Sequence, residues 1–519
     1  MSRTRPADEL VEELGAPAPP KPPRRWLDAT LIGMLLPLAF FTRRPGYLFS
    51  HAFWLDEGWV ADSVRAPLHQ LRLLTAATPI GWSFLLRLIP HVGPPERLRA
   101  LPLAFGLMSV VAAYLLGRRI GRVAALAAGL AAALAPTALR NHSLKQYSAD
   151  AFVTLLLLWL TARLDAGWSR RRLVALGVAC ASLVLVSHAT IFVSAAVLGA
   201  LAVRALVERR WERLGWIAGL GLGVAAVEAA VYLTFAAAGD NAAMHRVWAG
   251  DMIPLERGLG PAAAFVGARS ADAFGAIGYG PWPLAVAVVV AGLVAMWRLR
   301  LPATATAVCL LAVALVVAGV SKRYPFLDDR TSVFFTTLLT VCGALGIAWL
   351  ATWIARRPAT LPLGVAVAVG AGALLFPAAH AQAMQPMPAN SVDRQMAYVL
   401  SHRRPGDVVV IGFAASFSFA YYYPGRPTFS PAFGGGLRFQ VDYPGRPDFV
   451  VVHTGWPAAI DSGLREAAAR SSSGRVWLVR AEAGDGKPAW NQAAARIGHT
   501  RRRSPWLVTV DAGAGGRRD

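Results

Sequence analysis

Two adjacent acids, Asp56 and Glu57, lie in the segment FWLDEGWVAD, residues 53–62. A carboxylate within hydrogen-bonding reach of a hydroxyl can take its proton as a new bond forms, which makes the hydroxyl a better nucleophile. Neighbouring residues on a helix point about 100° apart, so one acid can act as a base while the other holds a loop, a metal or a substrate. The alternative is an acid pair that only complements the dipole at a helix N-terminus.

A second cluster of ionisable residues lies in RNHSLKQYSAD, residues 140–150, between two apolar runs. Ionisable side chains so close to hydrocarbon are costly and usually face a bundle interior or a pathway. Lys145 and Arg140 could hold a phosphate, and Asp150 could orient a substrate or a metal. For Arg140 alone, the alternative is a side chain that extends to the membrane interface. His142 and Tyr147 complete the cluster.

A third cluster lies in SKRYPFLDDR, residues 321–330, at the edge of another apolar run. Arg323, Tyr324 and Arg330 are its candidate binding residues, because arginine holds phosphate oxygens through a planar fork of donors. Asp328 and Asp329 supply the alternative, in which the arginines only form internal salt bridges.

The composition places these clusters in a membrane protein. The chain has 519 residues, of which 55% are hydrophobic and 16% charged, and its mean hydropathy is +0.45, which is high for a soluble protein of this size. Lys and Arg outnumber Asp and Glu by 52 to 30. This excess would suggest a nucleic-acid partner in a soluble protein, but here the basic residues gather in short loops between apolar segments, so no nucleic-acid partner is expected.

The apolar segments predict a polytopic α-helical protein, since a spanning helix needs roughly 20 mostly apolar residues. We expect about eleven transmembrane helices, near 26–41, 98–117, 123–140, 150–164, 173–187, 189–207, 214–238, 282–297, 301–320, 331–354 and 359–377. Residues 1–25, rich in Pro and charge, are expected to form a disordered cytoplasmic tail. The short basic loops then fall on the cytoplasmic side, as the positive-inside bias requires.

This topology puts the three charged clusters on one side of the membrane. The transmembrane domain would cover 26–377, with extracytoplasmic loops at 42–97, 141–149, 239–281 and 321–330. The rest of the chain, 378–519, reads as a small extracytoplasmic α/β domain, because apolar strands such as DVVVIG, DFVVVHTG and RVWLVR alternate with helical stretches. Neither a nucleotide-binding loop nor a zinc motif occurs there.

The chain resembles the GT-C glycosyltransferases, polytopic enzymes that include the protein O-mannosyltransferases and the lipid A aminoarabinose transferases. The resemblance covers about 26–377 and rests on three stretches in order: FWLDEGWVADS, TPIGWSFLLRL and KQYSAD. Thr78 departs from the first proline that the family often has in the second stretch, and Arg323 with Tyr324 matches a variable region of the family.

The resemblance implies a sugar donor carried on a polyprenyl phosphate, with transfer and anomeric inversion on the outer face of the membrane. It implies Asp56 as general base, Glu57 in support, Asp150 as an acid of the second loop and Lys145 as a ligand of the donor phosphate. The predicted substrate-binding residues are Lys145, Tyr147, His142, Arg323, Tyr324 and Arg330. The expected partners are the donor, a cell-envelope acceptor and the lipid bilayer.

Two points stay open at this level. The sequence assigns no cofactor, although a divalent metal held by Asp56 and Asp150 is an alternative. A lipid-linked glycan transporter or flippase would use the same charged outer cavity. A glycan ligase or polymerase would also use polyprenyl-linked substrates, but usually has its key residues in one large late outer loop, whereas here the early loops are charged. Transporters commonly show two related halves, whereas the sequence has no internal repeat and its charges gather at the outer edge.

Overall fold

The computed structural model describes residues 25–75, 78–89, 94–141, 143–237, 242–354, 361–386, 391–432, 439–481, 487–503 and 507–512. The predicted tail, 1–25, lies outside these ranges except for Arg25, and so does the predicted site residue His142.

The chain is mostly helical up to Met384, and each of the eleven apolar segments overlaps a helix. In chain order the helices are α1 (Arg25–Thr42), α2 (Pro45–Leu48), α3 (Leu55–Arg65), α4 (Leu71–Leu74), α5 (Ile80–Arg87), α6 (Ala100–Gly117), α7 (Arg122–Ala133), α8 (Pro136–Arg140), α9 (Tyr147–Ala166), α10 (Arg170–Leu183), α11 (Thr190–Val207), α12 (Trp211–Val231), α13 (Ala242–Trp248), α14 (Leu259–Ala276), α15 (Trp282–Arg298), α16 (Pro302–Val320), α17 (Val333–Ile354) and α18 (Leu361–Met384).

Seven helical stretches within the described ranges are long and apolar enough to cross a membrane. They are Glu96–Gly117, Arg122–Arg140, Thr190–Val207, Trp211–Ala236, Pro302–Val320, Val333–Ile354 and Gly364–Met384. Two shorter apolar helices, Trp26–Thr42 and Trp282–Arg298, accompany them. The protein is therefore a polytopic membrane protein, and the expected count of about eleven spans stays a prediction.

Small residues let the long helices pack closely, as is common between membrane helices. Helices α15 and α17 are an example, because their backbones meet at Gly292 and Gly346. A Cβ atom on Gly292 would lie 2.0 Å from the carbonyl oxygen of Cys342, and one on Gly346 would lie 2.0 Å from that of Val288. Helix α17 is buried along most of its length, so this contact belongs to the centre of the helical domain.

The C-terminal part contains a mixed sheet, which confirms the α/β character expected there. Its strands are β1 (Val408–Ile411), β2 (Thr428–Pro431), β3 (Phe439–Asp442), β4 (Phe449–Val451), β5 (Arg475–Val479), β6 (Gly498–Arg502) and β7 (Val508–Ala512). Five strands form one sheet in the order β4-β1-β5-β7-β6, and β2 pairs with β3 separately. Strands β4, β1 and β5 are parallel, whereas β7 and β6 are antiparallel additions.

Helices cover both faces of this sheet. They are α19 (Val392–His402), α20 (Phe413–Tyr422), α21 (Pro457–Arg470) and α22 (Lys487–Ile497). One face packs its alternate strand residues against α21 and α22. The other face packs against α19 and α20, and its apolar core also includes Trp59 of α3. The helix that carries the two adjacent acids thus lies against the C-terminal domain.

Candidate active site

Helix α3 begins at Leu55 and places Asp56 and Glu57 in its first turn. Both acids are buried. The carboxylate of Glu57 accepts the backbone N–H of Trp54 at 3.4 Å, and acids are favoured at this end of a helix. The N-terminal acid pair considered from the sequence therefore exists, but the two side chains also have separate partners.

Asp56 shares one carboxylate oxygen between two cations. Its Oδ2 lies 2.7 Å from a guanidinium nitrogen of Arg330 and 3.7 Å from Nζ of Lys145. Only 10% of the Asp56 side chain is exposed. The first, second and fourth loops predicted from the sequence thus meet at one carboxylate, as their common side had suggested.

A tight turn positions Arg330. The carboxylate of Asp328 accepts the backbone N–H groups of Arg330 and Thr331, at 3.2 and 2.9 Å, an arrangement that stabilises turns locally. The guanidinium lies 5.5 Å from the ring centre of Trp54 and 5.9 Å from that of Trp248. Burial disfavours its charge, but Asp56, followed by Tyr147, raises the pKa of Arg330 overall.

Lys145 is buried directly beside Asp56. Burial lowers its pKa, and the charge of Arg330 lowers it further, while Asp56 acts in the opposite direction. His188, which precedes α11, is also affected by the charge of Lys145. Burial and then this charge lower the pKa of His188 to about 4. His188 is therefore neutral near pH 7.

Glu57 forms a buried ion pair with Arg99, which the sequence reasoning missed. The Arg99 Nε donates to Oε1 at 2.8 Å and a terminal nitrogen to Oε2 at 2.6 Å, and neither side chain is exposed. Arg99 also donates to the carbonyl groups of Leu48 and His51, at 2.8 and 2.5 Å. The one available signal was that Arg99 falls inside the predicted segment 98–117, where an arginine without a partner would be costly.

The same carboxylate fixes the second loop. Glu57 Oε1 accepts the backbone N–H of Leu144 at 2.9 Å, and the indole of Trp82 in α5 donates to the Leu144 carbonyl at 3.0 Å. Leu144 is thereby held through both its N–H and its carbonyl group, which belong to the two peptide bonds that flank it. Lys145 follows immediately, so its backbone position beside Asp56 depends on Glu57.

Asp150 and Tyr324 lie deeper, around the start of α9. Asp150 is 3% exposed, and its neighbours are Ser187 and the backbone of Ala189. Tyr324 is half-buried, and its hydroxyl donates to the Thr331 carbonyl at 2.7 Å. Asp150 lies close enough to Tyr324 to influence it electrostatically, which places the two groups in one polar region.

Two other predicted residues lie further out. Arg140 pairs with Asp329 at 2.7 Å, with nearly half of each side chain exposed; the amide of Asn141 donates to the Asp329 carbonyl at 2.9 Å. These contacts join the second and fourth loops. Arg323 is exposed, in contrast to the half-buried Arg330.

Buried polar atoms without a hydrogen-bond partner gather around these residues. Half of those found in the described part of the chain belong to Trp54, Gln146, Asp150, Ser187, Thr190, Arg330, Thr331, Ser332 and Thr337. Buried polar groups are normally satisfied by protein, water or ligand. These atoms therefore leave hydrogen-bonding capacity that water or a polar ligand could satisfy.

The site does not have the composition of a metal centre. Within the described ranges, no group of three or more His, Cys, Asp and Glu side chains could hold a metal ion. Asp56 already has two cationic partners, and Asp150 lies beside Ser187. These residues therefore fit an anionic ligand between the cations better than a metal between the acids.

Comparisons with known proteins bear on the fold. No protein-family model matches the sequence, and no curated protein matches it. Among solved structures, ArnT from Cupriavidus metallidurans bound to undecaprenyl phosphate is similar over 95% of this chain and 99% of that chain, with a TM-score of 0.55 and 14% identity. Apo ArnT from the same organism gives a TM-score of 0.53 and 14% identity, over 93% and 97% of the two chains. The fold is that of the GT-C glycosyltransferases.

A third structure extends the likeness of this GT-C fold. The Archaeoglobus fulgidus oligosaccharyltransferase, tethered with an acceptor peptide, is similar over 88% of this chain and 69% of that chain, with a TM-score of 0.50 and 13% identity. The resemblance expected from the three short motifs is thereby confirmed at the level of the fold. The likeness also includes the C-terminal part, because the ArnT match covers nearly the whole chain.

Proposed function

We propose that the protein transfers a sugar from a polyprenyl-phosphate donor to a glycan, lipid or protein acceptor of the cell envelope, on the outer face of the membrane. The observation that carries this proposal is the convergence of Lys145 and Arg330 on one oxygen of Asp56. Two cations suited to bind a phosphate thus lie beside a carboxylate suited to act as a base, which supports the proposal. The GT-C fold and the polyprenyl phosphate bound to the similar ArnT support the donor class.

The ion cluster of Asp56, Lys145 and Arg330 suggests that donor binding frees the base. Without donor, both cations lie against Oδ2 of Asp56. The phosphate of the donor competes for Lys145 and Arg330 and draws them from Asp56. The released oxygen can then accept the hydrogen bond of an acceptor hydroxyl, the geometry that proton transfer requires.

The reaction follows from this exchange. Asp56 takes the proton of the acceptor hydroxyl while the oxygen forms a bond to the anomeric carbon of the sugar. The bond from that carbon to the phosphate oxygen breaks on the opposite side, which inverts the configuration. The electron pair leaves with the lipid phosphate, where fixed cations stabilise the developing charge most effectively, and the proton stays on Asp56 until solvent removes it.

The remaining predicted residues take supporting tasks in this proposal. Glu57 holds the start of α3 and the backbone next to Lys145. Tyr147 contacts Arg330 and keeps it directed at the phosphate. Asp150, Tyr324 and the neutral His188 line the polar region next to the ion cluster, where hydroxyl groups of a sugar could be bound. Arg323 is placed to meet the acceptor or a lipid headgroup.

Asp56→Asn tests the proposal with a side chain of the same shape. Transfer of a labelled sugar from a polyprenyl-phosphate donor should fall by about 10² to 10⁴-fold, the usual contribution of a general base. Binding of undecaprenyl phosphate should be equal or tighter, because Asn does not compete for the cations. Asp329→Asn, which changes the partly exposed partner of Arg140, is the matched control.

Two results would contradict the proposal. Transfer near the wild-type rate in Asp56→Asn would remove Asp56 as the base. A wild-type protein that moves an intact lipid-linked glycan across vesicles, without transferring the sugar, would instead support the flippase alternative.

A further inference from the structure

Helix α20 of the C-terminal domain lies directly across α3, and the two backbones meet at Gly58. A Cβ atom on Gly58 would lie 2.6 Å from the backbone nitrogen of Ser418 and 2.7 Å from its hydroxyl oxygen. Real Cβ atoms do not approach other atoms this closely, and the backbone of Ser418 cannot rotate away. The glycine that follows the two acids is therefore required by the closeness of α20.

Hydrogen bonds from α20 reach the residues that start α3. Ser418 donates to the Phe53 carbonyl at 2.8 Å. The hydroxyl of Tyr422 accepts the Phe53 N–H at 2.9 Å and donates to Glu96, also at 2.9 Å. Phe53 lies three positions before Asp56, so α20 fixes the backbone that leads into the first turn of α3.

The end of α3 is held by the same helix. Arg65 donates to the Tyr421 carbonyl, and its guanidinium lies 4.4 Å from the centre of the Tyr421 ring. With both ends of α3 bound to α20, the helix can neither slide nor tilt without breaking contacts with the C-terminal domain.

Trp59 connects this contact to the ion cluster. Its ring stacks on Phe417 of α20 at 5.4 Å and meets Phe439 of β3 edge-on at 5.2 Å. Lys145 lies 5.8 Å from the centre of the same Trp59 ring. A displacement of α20 would therefore shift both Asp56 on α3 and Lys145, one of the two cations that contact it.

We propose that α20 is a positioning element of the active site, and that Gly58, Ser418 and Tyr422 are positioning residues for Asp56. This inference rests on the function proposed above. The C-terminal domain then completes the catalytic geometry, in addition to any contact that it makes with an acceptor. A mutation far from the chemistry that misplaces a catalytic group by about 1 Å can reduce a rate by about 10²-fold. A methyl group on Gly58 would force α3 and α20 apart and so displace Asp56.

The test compares Gly58→Ala with Gly219→Ala in the full-length protein. Both glycines lie inside helices, but an added Cβ on Gly219 would have nothing within 4 Å. We expect Gly58→Ala to lower kcat by on the order of 10²-fold, with KM for the donor changed less than about threefold. Gly219→Ala should match the wild type in both constants.

Hydrogen exchange of the peptide covering 53–66 provides a readout independent of sugar transfer. Exchange should be faster in Gly58→Ala than in the wild type and unchanged in Gly219→Ala. If the wild type transfers no sugar, the proposed function is wrong. The exchange measurement then still tests whether α20 holds α3: the inference is overturned if Gly58→Ala exchanges at the same rate as the wild type.

Tyr422→Phe is a milder variant for the case in which Gly58→Ala does not fold. It removes only the hydroxyl that joins Phe53 to Glu96. A loss of kcat with unchanged KM supports the positioning task. If Gly58→Ala and Tyr422→Phe both had the kcat of Gly219→Ala, α20 would pack on α3 without any influence on Asp56.

Discussion

Arg99 donates to both carboxylate oxygens of Glu57, and neither side chain is exposed to solvent. This two-point pair fixes the orientation of Glu57. Asp56, the preceding residue, instead faces Lys145 and Arg330 through a single oxygen. The two adjacent acids therefore have different surroundings: Glu57 is enclosed in a buried pair, whereas Asp56 lies between two cations from other loops.

Glu57→Gln should destabilise the protein strongly, because it leaves the Arg99 charge buried without its anionic partner. Breaking a buried ion pair in this way typically costs about 3–5 kcal/mol. Thermal unfolding in detergent would measure the effect. Glu212→Gln, which removes the partner of the largely exposed Arg170, should change the unfolding temperature little. Equal effects from the two substitutions would contradict a structural task for Glu57.

Arg330→Ala should weaken binding of undecaprenyl phosphate by at least about tenfold, the loss expected when one member of a close charge pair is removed. Arg323→Ala is the matched control, because Arg323 belongs to the same loop but is exposed. Isothermal titration in detergent gives both affinities. A larger loss of affinity in Arg323→Ala than in Arg330→Ala would show that the phosphate does not bind beside Asp56.

The affinity for the donor should fall as the pH rises. It should begin to fall at a lower pH than if Lys145 had the ordinary pKa of a lysine. Burial lowers the pKa of Lys145, so its positive charge is lost as the pH rises through this lowered value. Because the unfolded chain then holds more protons than the folded one, the same shift makes folding more favourable as the pH rises. Lys145→Arg keeps the charge, and its binding curve should stay flat over this range. Identical pH profiles for both proteins would exclude Lys145 as a phosphate ligand.

Asp150→Asn should leave thermal stability equal or slightly higher, because it removes a buried carboxyl group that can carry charge, and should lower sugar transfer by less than tenfold, a smaller loss than Asp56→Asn gives. The reason is its position: Asp150 is buried next to Ser187 and Ala189, at the turn that leads into α11. Unfolding and transfer measured on the same preparation separate the two effects. A loss as large as that of Asp56→Asn, at normal stability, would give Asp150 a direct part in the reaction.

The sequence indicated where the helices lie and which loops carry charge. Long apolar runs predict the helices, and the loop charges predicted that Asp56, Lys145 and the pair Arg323 and Arg330 lie on one side of the membrane. In the structure, Lys145 and Arg330 contact Asp56. The sequence could not distinguish Arg330 from Arg323, because both are arginines of one short loop and only the turn at Asp328 directs the former inward.

The partners of α3 were not predictable for a different reason. Glu57 and Arg99 are separated by 42 residues, and Phe53 and Tyr422 by 369. Neither local propensity nor hydrophobic period contains information about such distant pairs. The position of the C-terminal domain on the acid-bearing helix could therefore come only from the three-dimensional structure.

The contact between Phe53 and Tyr422 also sets an order of events during biosynthesis. At about 5–20 residues per second, the ribosome needs roughly 20 to 70 s to reach α20 after it has made α3. Throughout this time the nascent chain enters the membrane with its acid-bearing helix lacking the partner that holds it. Under the proposed function, such a chain becomes competent only when this domain has been made and has docked, so a chain terminated before α20 would occupy the membrane without consuming donor lipid.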